Sequence, residues 1–193
     1  MVKRKLMGGV LAACGLWMGA PGVAAPAAPA ASPWVLSADG TLVIDTRSHL
    51  AWDRCVAGML WNGGTCTGRA RLLTFVQARA LADERWKASG VRWRLPRVPE
   101  LRRLVNRGAS PPAVDAALFP GAPADWHWTS TRSVNTAAVN PYAYGNAMGG
   151  GKGGDVLHAR QAWAVDMGSG EGRGDMNRAT PFYVRLVRPA PKP

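Results

Sequence analysis

Apolar and polar positions change period several times along the chain. Thr41-Leu42-Val43-Ile44-Asp45 and Leu50-Ala51-Trp52-Asp53 are short apolar runs separated by Thr46-Arg47-Ser48-His49, a pattern that predicts a β-hairpin. Thr74-Phe75-Val76-Gln77 has the form of a capping box, and Phe75, Ala78, Leu81 and Ala82 follow at helical spacing toward Trp86, with Gly90 as the stop. In Val91-Arg92-Trp93-Arg94-Leu95 apolar and charged residues alternate, which predicts a strand that Pro96 ends. Pro99 suits the first turn of a helix, and Leu101, Leu104 and Val105 give that helix one apolar stripe. Residues Pro111 to Phe119 read as a short helical or turn-like piece. Trp126 to Thr131, Ala162 to Met167 and Phe182 to Arg188 read as strands, the last with clean alternation, and Gly168 to Gly172 as a turn.

Two stretches do not look like core. Lys3-Arg4-Lys5, the apolar run Leu6–Met18 and the small residues Gly19–Ala25 have the form of a secretory signal peptide, residues 1–25, followed by an Ala/Pro-rich linker over 26–38. Leu11-Ala12-Ala13-Cys14 also matches a lipoprotein cleavage box, so a lipid anchor on Cys14 is the alternative to removal of the leader. The apolar run is too short for a comfortable membrane span. The expected organisation is thus a leader, a linker, one domain over 39–189 and a tail over 190–193. The expected location is periplasmic or extracellular, or at a membrane if Cys14 is lipidated.

The totals sharpen this picture. Among 193 residues, 23 Gly and 15 Pro favour a loop-rich α+β domain over a helical bundle. The formal charge is +12; without Lys3, Arg4 and Lys5 there remain 21 basic against 12 acidic residues, about +9. A surplus of this sign suits acidic polysaccharide, anionic headgroups or nucleic acid, and equally suits plain solubility. In an exported chain, Cys55 and Cys66 are most simply a disulfide. Zinc would need four ligands and only His49 is near in sequence, so no metal site and no cofactor are expected. Nothing beside either cysteine sets up a thiolate nucleophile. The glycine-rich segment Gly145–Gly154 is not a phosphate loop, because Asn146 and Gly153 stand where a glycine and a Ser or Thr are needed around Lys152; it reads as a long loop.

The ordered set Leu50-Ala51-Trp52, Cys55 with Cys66, Leu73-Thr74-Phe75, Trp93-Arg94-Leu95-Pro96 with Glu100-Leu101, Phe119-Pro120, Trp128-Thr129-Ser130-Thr131, Ala162-Trp163-Ala164-Val165-Asp166 and Tyr183–Arg188 resembles the bacterial domain of unknown function 1566, the Legionella collagen-like protein C-terminal domain family. The resemblance covers residues 40 to 188. It implies an exported α+β domain of C-type-lectin-like type, with short antiparallel sheets, two short helices and long loops. The best-known relative is an adhesin that binds glycosaminoglycans, and most members have no known activity. Departures are visible. Arg97 stands where the family commonly has a helix-capping Thr or Ser, so that cap is absent or supplied otherwise, and Thr129 replaces a usual serine. There is no collagen-like repeat, no late cysteine pair like that of the formylglycine-generating enzymes, and none of the calcium-dependent sugar motifs of true C-type lectins, so no calcium site is carried over.

The candidate ligand residues are the arginines Arg97, Arg102, Arg103 and Arg107, with Arg92 and Arg94 beside them, around the lone acid Glu100. Guanidinium forks suit carboxylate and sulfate; the alternative is that Glu100 pairs with some of them inside the fold and the rest are solvated, Arg94 most of all. Among nine tryptophans, Trp93, Trp128 and Trp163 sit in alternating strands and read as core. Trp61 and Trp126, with Tyr142 and Tyr144 in the long loop, are the candidates for a sugar-stacking surface. His49, His127 and His158 show no ligand spacing, and Ser130, His127 and Asp125 are too close in sequence to suggest a triad, so no catalytic residue is assigned. Three functions follow: non-catalytic binding of acidic glycan or another envelope component, a structural or assembly role toward an envelope protein, and, last, an enzyme. Neither a nucleic-acid partner nor a membrane span is expected.

Overall fold

A computed structural model describes residues 32–109, 113–131 and 160–191. In chain order its elements are β1 (Trp34–Leu36), β2 (Leu42–Asp45), β3 (Leu50–Asp53), β4 (Met59–Trp61), β5 (Cys66–Gly68), α1 (Phe75–Ser89), α2 (Val98–Arg102), β6 (Val105–Asn106), β7 (Ala113–Val114), β8 (Trp126–Trp128), β9 (Gln161–Asp166), β10 (Gly172–Asn177) and β11 (Val187–Pro189). The class is α+β: a four-stranded sheet in the order β1-β2-β3-β11, a three-stranded sheet β10-β9-β8, and two ribbons, β4-β5 and β6-β7, all antiparallel.

The hairpin β2–β3 pairs Val43 with Trp52. Its turn is held by Asp45, whose buried carboxylate accepts from the Arg47 and Ser48 amides at 3.0 and 3.3 Å and from the Ser48 hydroxyl at 2.6 Å. An acid at the start of a turn does this because its short side chain reaches its own backbone two and three residues on. β1 lies inside the segment expected as linker, so sheet pairing begins before residue 39. Its Trp34-Val35-Leu36 is the one apolar run in an otherwise Ala/Pro-rich composition.

Helix α1 starts and stops as its sequence predicts. The Gln77 amide donates to Thr74 Oγ1 at 3.4 Å and the Thr74 amide donates to Gln77 Oε1 at 2.9 Å. Gly90 ends it in the left-handed region (φ 68°), and its N–H donates to the Trp86 carbonyl at 2.8 Å. The buried face is narrow, made of Phe75, Ala78 and Ala82, which join the core cluster of Leu42, Ala51, Trp93 and Trp128.

The segment leading into α2 departs from expectation in three ways. Val91–Leu95 forms no strand: it opens in a tight turn, the Trp93 amide donating to the Val91 carbonyl at 2.8 Å, and Arg94 alone pairs with Val187, by amide–carbonyl bonds of 2.9 and 3.0 Å, while Trp93 and Leu95 are buried as the alternation requires. α2 ends at Arg102, and Leu104 and Val105 reach the core through a turn and β6 rather than along a helix. The Arg97 position receives its cap from elsewhere. The Glu100 carboxylate accepts from the Arg97 amide at 2.7 Å, and Thr131, 33 residues on, accepts from the Val98 amide at 2.9 Å.

Later elements also differ. Residues 113–114 form a strand against β6, and the turn-like alternative holds only after it, at residues 116–118, where the Phe119 amide donates to the Asp115 carbonyl at 2.8 Å. Only Val187–Pro189 of the expected last strand is regular, and Val184, Arg185, Leu186 and Val187 are all buried, so the alternation does not sort inside from outside there. β10 was not foreseen in its Gly-rich sequence; a side chain at Gly174 would meet the Trp163 ring at 2.5 Å, so a glycine is needed for Trp163 to lie across the strand. The expected loop over residues 134–159 lies outside the described residues.

Two clusters make the core. One joins Phe75, Trp93, Leu95, Trp128, Val184 and Leu186; the other joins Val43, Trp52, Leu101, Phe119, Val165 and Val187. Phe75 and Phe182 pack on the Trp128 ring, which is fully buried and donates from Nε1 to the Leu73 carbonyl at 2.8 Å.

Because Thr131 supplies the α2 cap, Thr131→Ala is expected to destabilise the domain by about 1 kcal/mol in urea denaturation, and Thr131→Ser by much less. Equal losses for the two variants would reject the capping role.

Candidate functional site

Cys55 and Cys66 form a disulfide, with an 11-residue separation, across the ribbon β4–β5. In the chain-entropy model a loop of that size contributes up to about 3 kcal/mol. Gly58 at its base has φ +92°, and a Cβ there would lie 2.5 Å from the Arg69 carbonyl and 2.6 Å from Arg71 Cγ. Only glycine lets the two legs of the loop approach so closely. The Arg71 amide also donates to the Ala57 carbonyl at 2.8 Å, so the start of the Arg71 side chain is fixed against the loop.

Between this ribbon and α1 lies a cavity of about 420 Å³. Leu60, Trp61 and Leu81 give it apolar walls, Arg71 and Arg85 bring guanidinium groups, and Asp53 supplies a carboxylate. Arg85 grips Asp53 with both terminal nitrogens, Nη2 lying 3.0 Å from Oδ1, and its guanidinium lies over the Trp93 ring at 3.9 Å. The Arg85 side chain keeps 40% of its exposure and that of Asp53 keeps 16%. Burial pushes the Asp53 carboxyl up, against the opposing pull of Arg85, Arg185 and Arg188. Trp61 is backed by Arg54, whose guanidinium stacks 3.8 Å from the ring. Arg54 in turn is buried and donates to the carbonyls of Gly40, Ala117 and Leu118 at 3.2, 2.8 and 3.0 Å.

Behind the cavity Arg185 is fully enclosed and donates to the Asp53 and Arg54 carbonyls, both at 2.6 Å. Its neighbour His127 is buried too, with Nδ1 2.9 Å from the Asp125 carbonyl and its ring against Tyr183. Burial first, then the Arg185 charge, lowers its pKa to about 3, against the opposing Asp125 carbonyl and Asp166 charge.

The expected ligand arginines are separated by the fold. Arg94 forms a two-pronged pair with Glu100, at 2.8 Å on each side. Arg103 binds the buried Asp45 at 2.9 Å, and Arg107 donates to the Gly170 carbonyl at 3.1 Å. These two do not share a helix face, since α2 stops before both. Arg97 and Arg102 are exposed and pair with no carboxylate among the described residues. Trp61 lines the cavity, whereas Trp126 is half-buried against Phe182 at 6.3 Å. Cys14, Tyr142 and Tyr144 lie outside the described residues. Sequence reasoning missed Asp53, Arg71 and Arg85. Asp53 looks like the polar end of a strand and Arg85 like one solvated position of a helix, and nothing local shows that the disulfide loop and α1 face each other.

Among the described residues no three His, Cys, Asp or Glu side chains converge as a metal site would require, and no helix is long and apolar enough to cross a membrane. The cavity brings together apolar and aromatic walls, two guanidinium forks and one carboxylate.

His127 gives a pH signature. Its folded pKa of about 3 lies below the ordinary 6.5, so the unfolded chain takes up the extra proton first. Stability should fall as pH drops below about 6.5, by at most about 1.4 kcal/mol per pH unit. Urea midpoints from about pH 7 to about pH 4.5 should decline less steeply in His127→Phe than in the parent. Parallel slopes would reject the assignment.

Comparisons with curated proteins and with solved structures gave no significant match. The family model of the Lcl C-terminal domain matches residues 41–188, from the first core strand to the last. The chain belongs to the Lcl C-terminal domain family.

Proposed function

We propose that the chain is an exported, non-catalytic binding domain of a surface protein and that it recognises acidic polysaccharide of the envelope or its surroundings. Family membership supports the surface-domain part. The observation that carries the polysaccharide part is the set of exposed guanidiniums, Arg71, Arg79, Arg92, Arg97 and Arg102, which meet no carboxylate among the described residues, on a chain of formal charge +12, about +9 without Lys3, Arg4 and Lys5 of the leader. Forks of this kind bind carboxylate and sulfate with two parallel hydrogen bonds, and their summed field raises the rate of encounter with a polyanion.

One feature favours the second reading, an assembly role toward an envelope protein. Among the described residues β1 is the outer strand of the four-stranded sheet, with Val35 and Leu36 49% and 42% exposed, and such an apolar edge can accept a strand from a partner.

On a heparin column at about 50 mM salt the domain should be retained, and it should elute later than from a sulfonate resin of similar charge density. Flow-through, or elution no later than from the sulfonate resin, would overturn specific polysaccharide binding. Mass spectrometry of the exported protein should find an N-terminus near Pro26; a diacylated Cys14 would instead make it a lipoprotein.

A further inference from the structure

We infer that the cavity between the disulfide ribbon and α1 is a subsite for one or two rings of a carboxylate-bearing sugar, a uronic acid unit of the polysaccharide. This rests on the binding reading above and gives it a place and a chemistry. The volume, about 420 Å³, falls within the range of small-molecule sites.

A uronate has three recognisable parts, and the lining matches each. Its C–H face suits Trp61, already held rigid by Arg54 at 3.8 Å on its ring, together with Leu60 and Leu81. Its carboxylate suits Arg71, which is exposed, is fixed at its base against Gly58, and meets no carboxylate among the described residues. Its hydroxyls suit Asp53. That carboxylate takes Arg85 on both oxygens and still has lone pairs for further donors. The Arg85 charge cancels that of Asp53, so Arg71 leaves the cavity with a net positive charge. A neutral sugar would leave the Arg71 fork without its anion.

Leu60 is 76% exposed, so its side chain is free to contact a sugar face. It projects from a ribbon held by the Cys55–Cys66 bond, so the wall needs little ordering when a ligand arrives.

The test uses the folded chain and three tetrasaccharides as probes: an oligogalacturonate, its neutral counterpart and a sulfated neutral one. Calorimetry should show binding of the uronate and at least about tenfold weaker binding of the neutral probe, which cannot form the charge-assisted hydrogen bonds to Arg71. Arg71→Ala, an exposed position, should weaken uronate binding about tenfold with unchanged melting temperature, while Arg47→Ala, exposed and outside the cavity, should change it less than about twofold. In parallel, the Trp61 indole N–H resonance, assigned by its loss in Trp61→Phe, should shift on titration. Equal losses for Arg71→Ala and Arg47→Ala, or a Trp61 resonance that does not move, would overturn the cavity assignment while leaving polysaccharide binding intact. Binding of the sulfated but not the carboxylated probe would overturn the uronate specificity alone. Failure to bind either probe or heparin would remove the binding reading and this subsite together.

Discussion

The arrangement depends on one enclosed guanidinium. Arg185 is 1% exposed, and a charge so placed persists only if protein groups replace its water. Two carbonyls do so at 2.6 Å, those of Asp53 and Arg54, and the face of Phe119 lies 4.6 Å from its central carbon. Burial lowers its pKa to about 10, opposed by the nearby Asp53 charge, so it stays cationic at neutral pH. The two carbonyls stand where β3 ends and the chain turns toward Cys55. The amides of Asp53 and Ala57 extend the same seam, donating to Leu186 and Val184 at 3.0 and 2.8 Å. The last core segment is thereby stitched to the start of the disulfide loop, and the floor of the cavity, Asp53, Val56 and Leu186, is a product of that seam.

The same chemistry recurs. Arg54, Arg85, Arg92, Arg178, Arg185 and Arg188 each place a guanidinium over an aromatic ring, and Arg85 and Arg188 both cover Trp93. In a domain with short strands and long connections, few apolar side chains are available to cover a large ring. A planar, weakly hydrated cation can lie on the ring while its edge donates to loop carbonyls. Much of the formal positive charge is therefore fixed in position by packing, and the remainder, Arg71 and Arg97 among it, faces solvent.

Where local physics decides the outcome, the chain was legible. The β2–β3 hairpin, the α1 capping box with its glycine stop, the cysteine bridge and the α+β class each depend on residues close together or on composition. The reading failed where a distant group decides. Thr131 caps α2 from 33 residues away, which no window around Arg97 can contain. Arg185 sits in a stretch that alternates in polarity, and alternation assigns a charge to the outside; here carbonyls from β3 and the loop after it override that rule. β10 is made of Gly, Arg, Asp, Met and Asn, and it pairs because β9 offers an edge and Trp163 needs a flat neighbour. The cavity residues were missed for the same reason, since Asp53, Arg71 and Arg85 come from a strand, a loop and a helix.

Asp53 is where the stability of the fold and the proposed recognition meet. Burial raises its pKa, so in isolation it weakens the folded state as pH rises through that value, yet its partner Arg85 keeps 40% of its side chain exposed. If the pair served packing alone, an apolar pair of similar volume would hold Trp93 and the hairpin at less cost, because desolvating two charges is often no gain over hydrophobic contact. The pair makes better physical sense beside a polar ligand. A sugar that closes the cavity gives the carboxylate hydroxyl donors in place of water and leaves its bond to Arg85 intact. On that argument the ion pair is a partly solvated acceptor held at a fixed angle, and the disulfide loop opposite it is the rigid wall that makes the fixed angle useful.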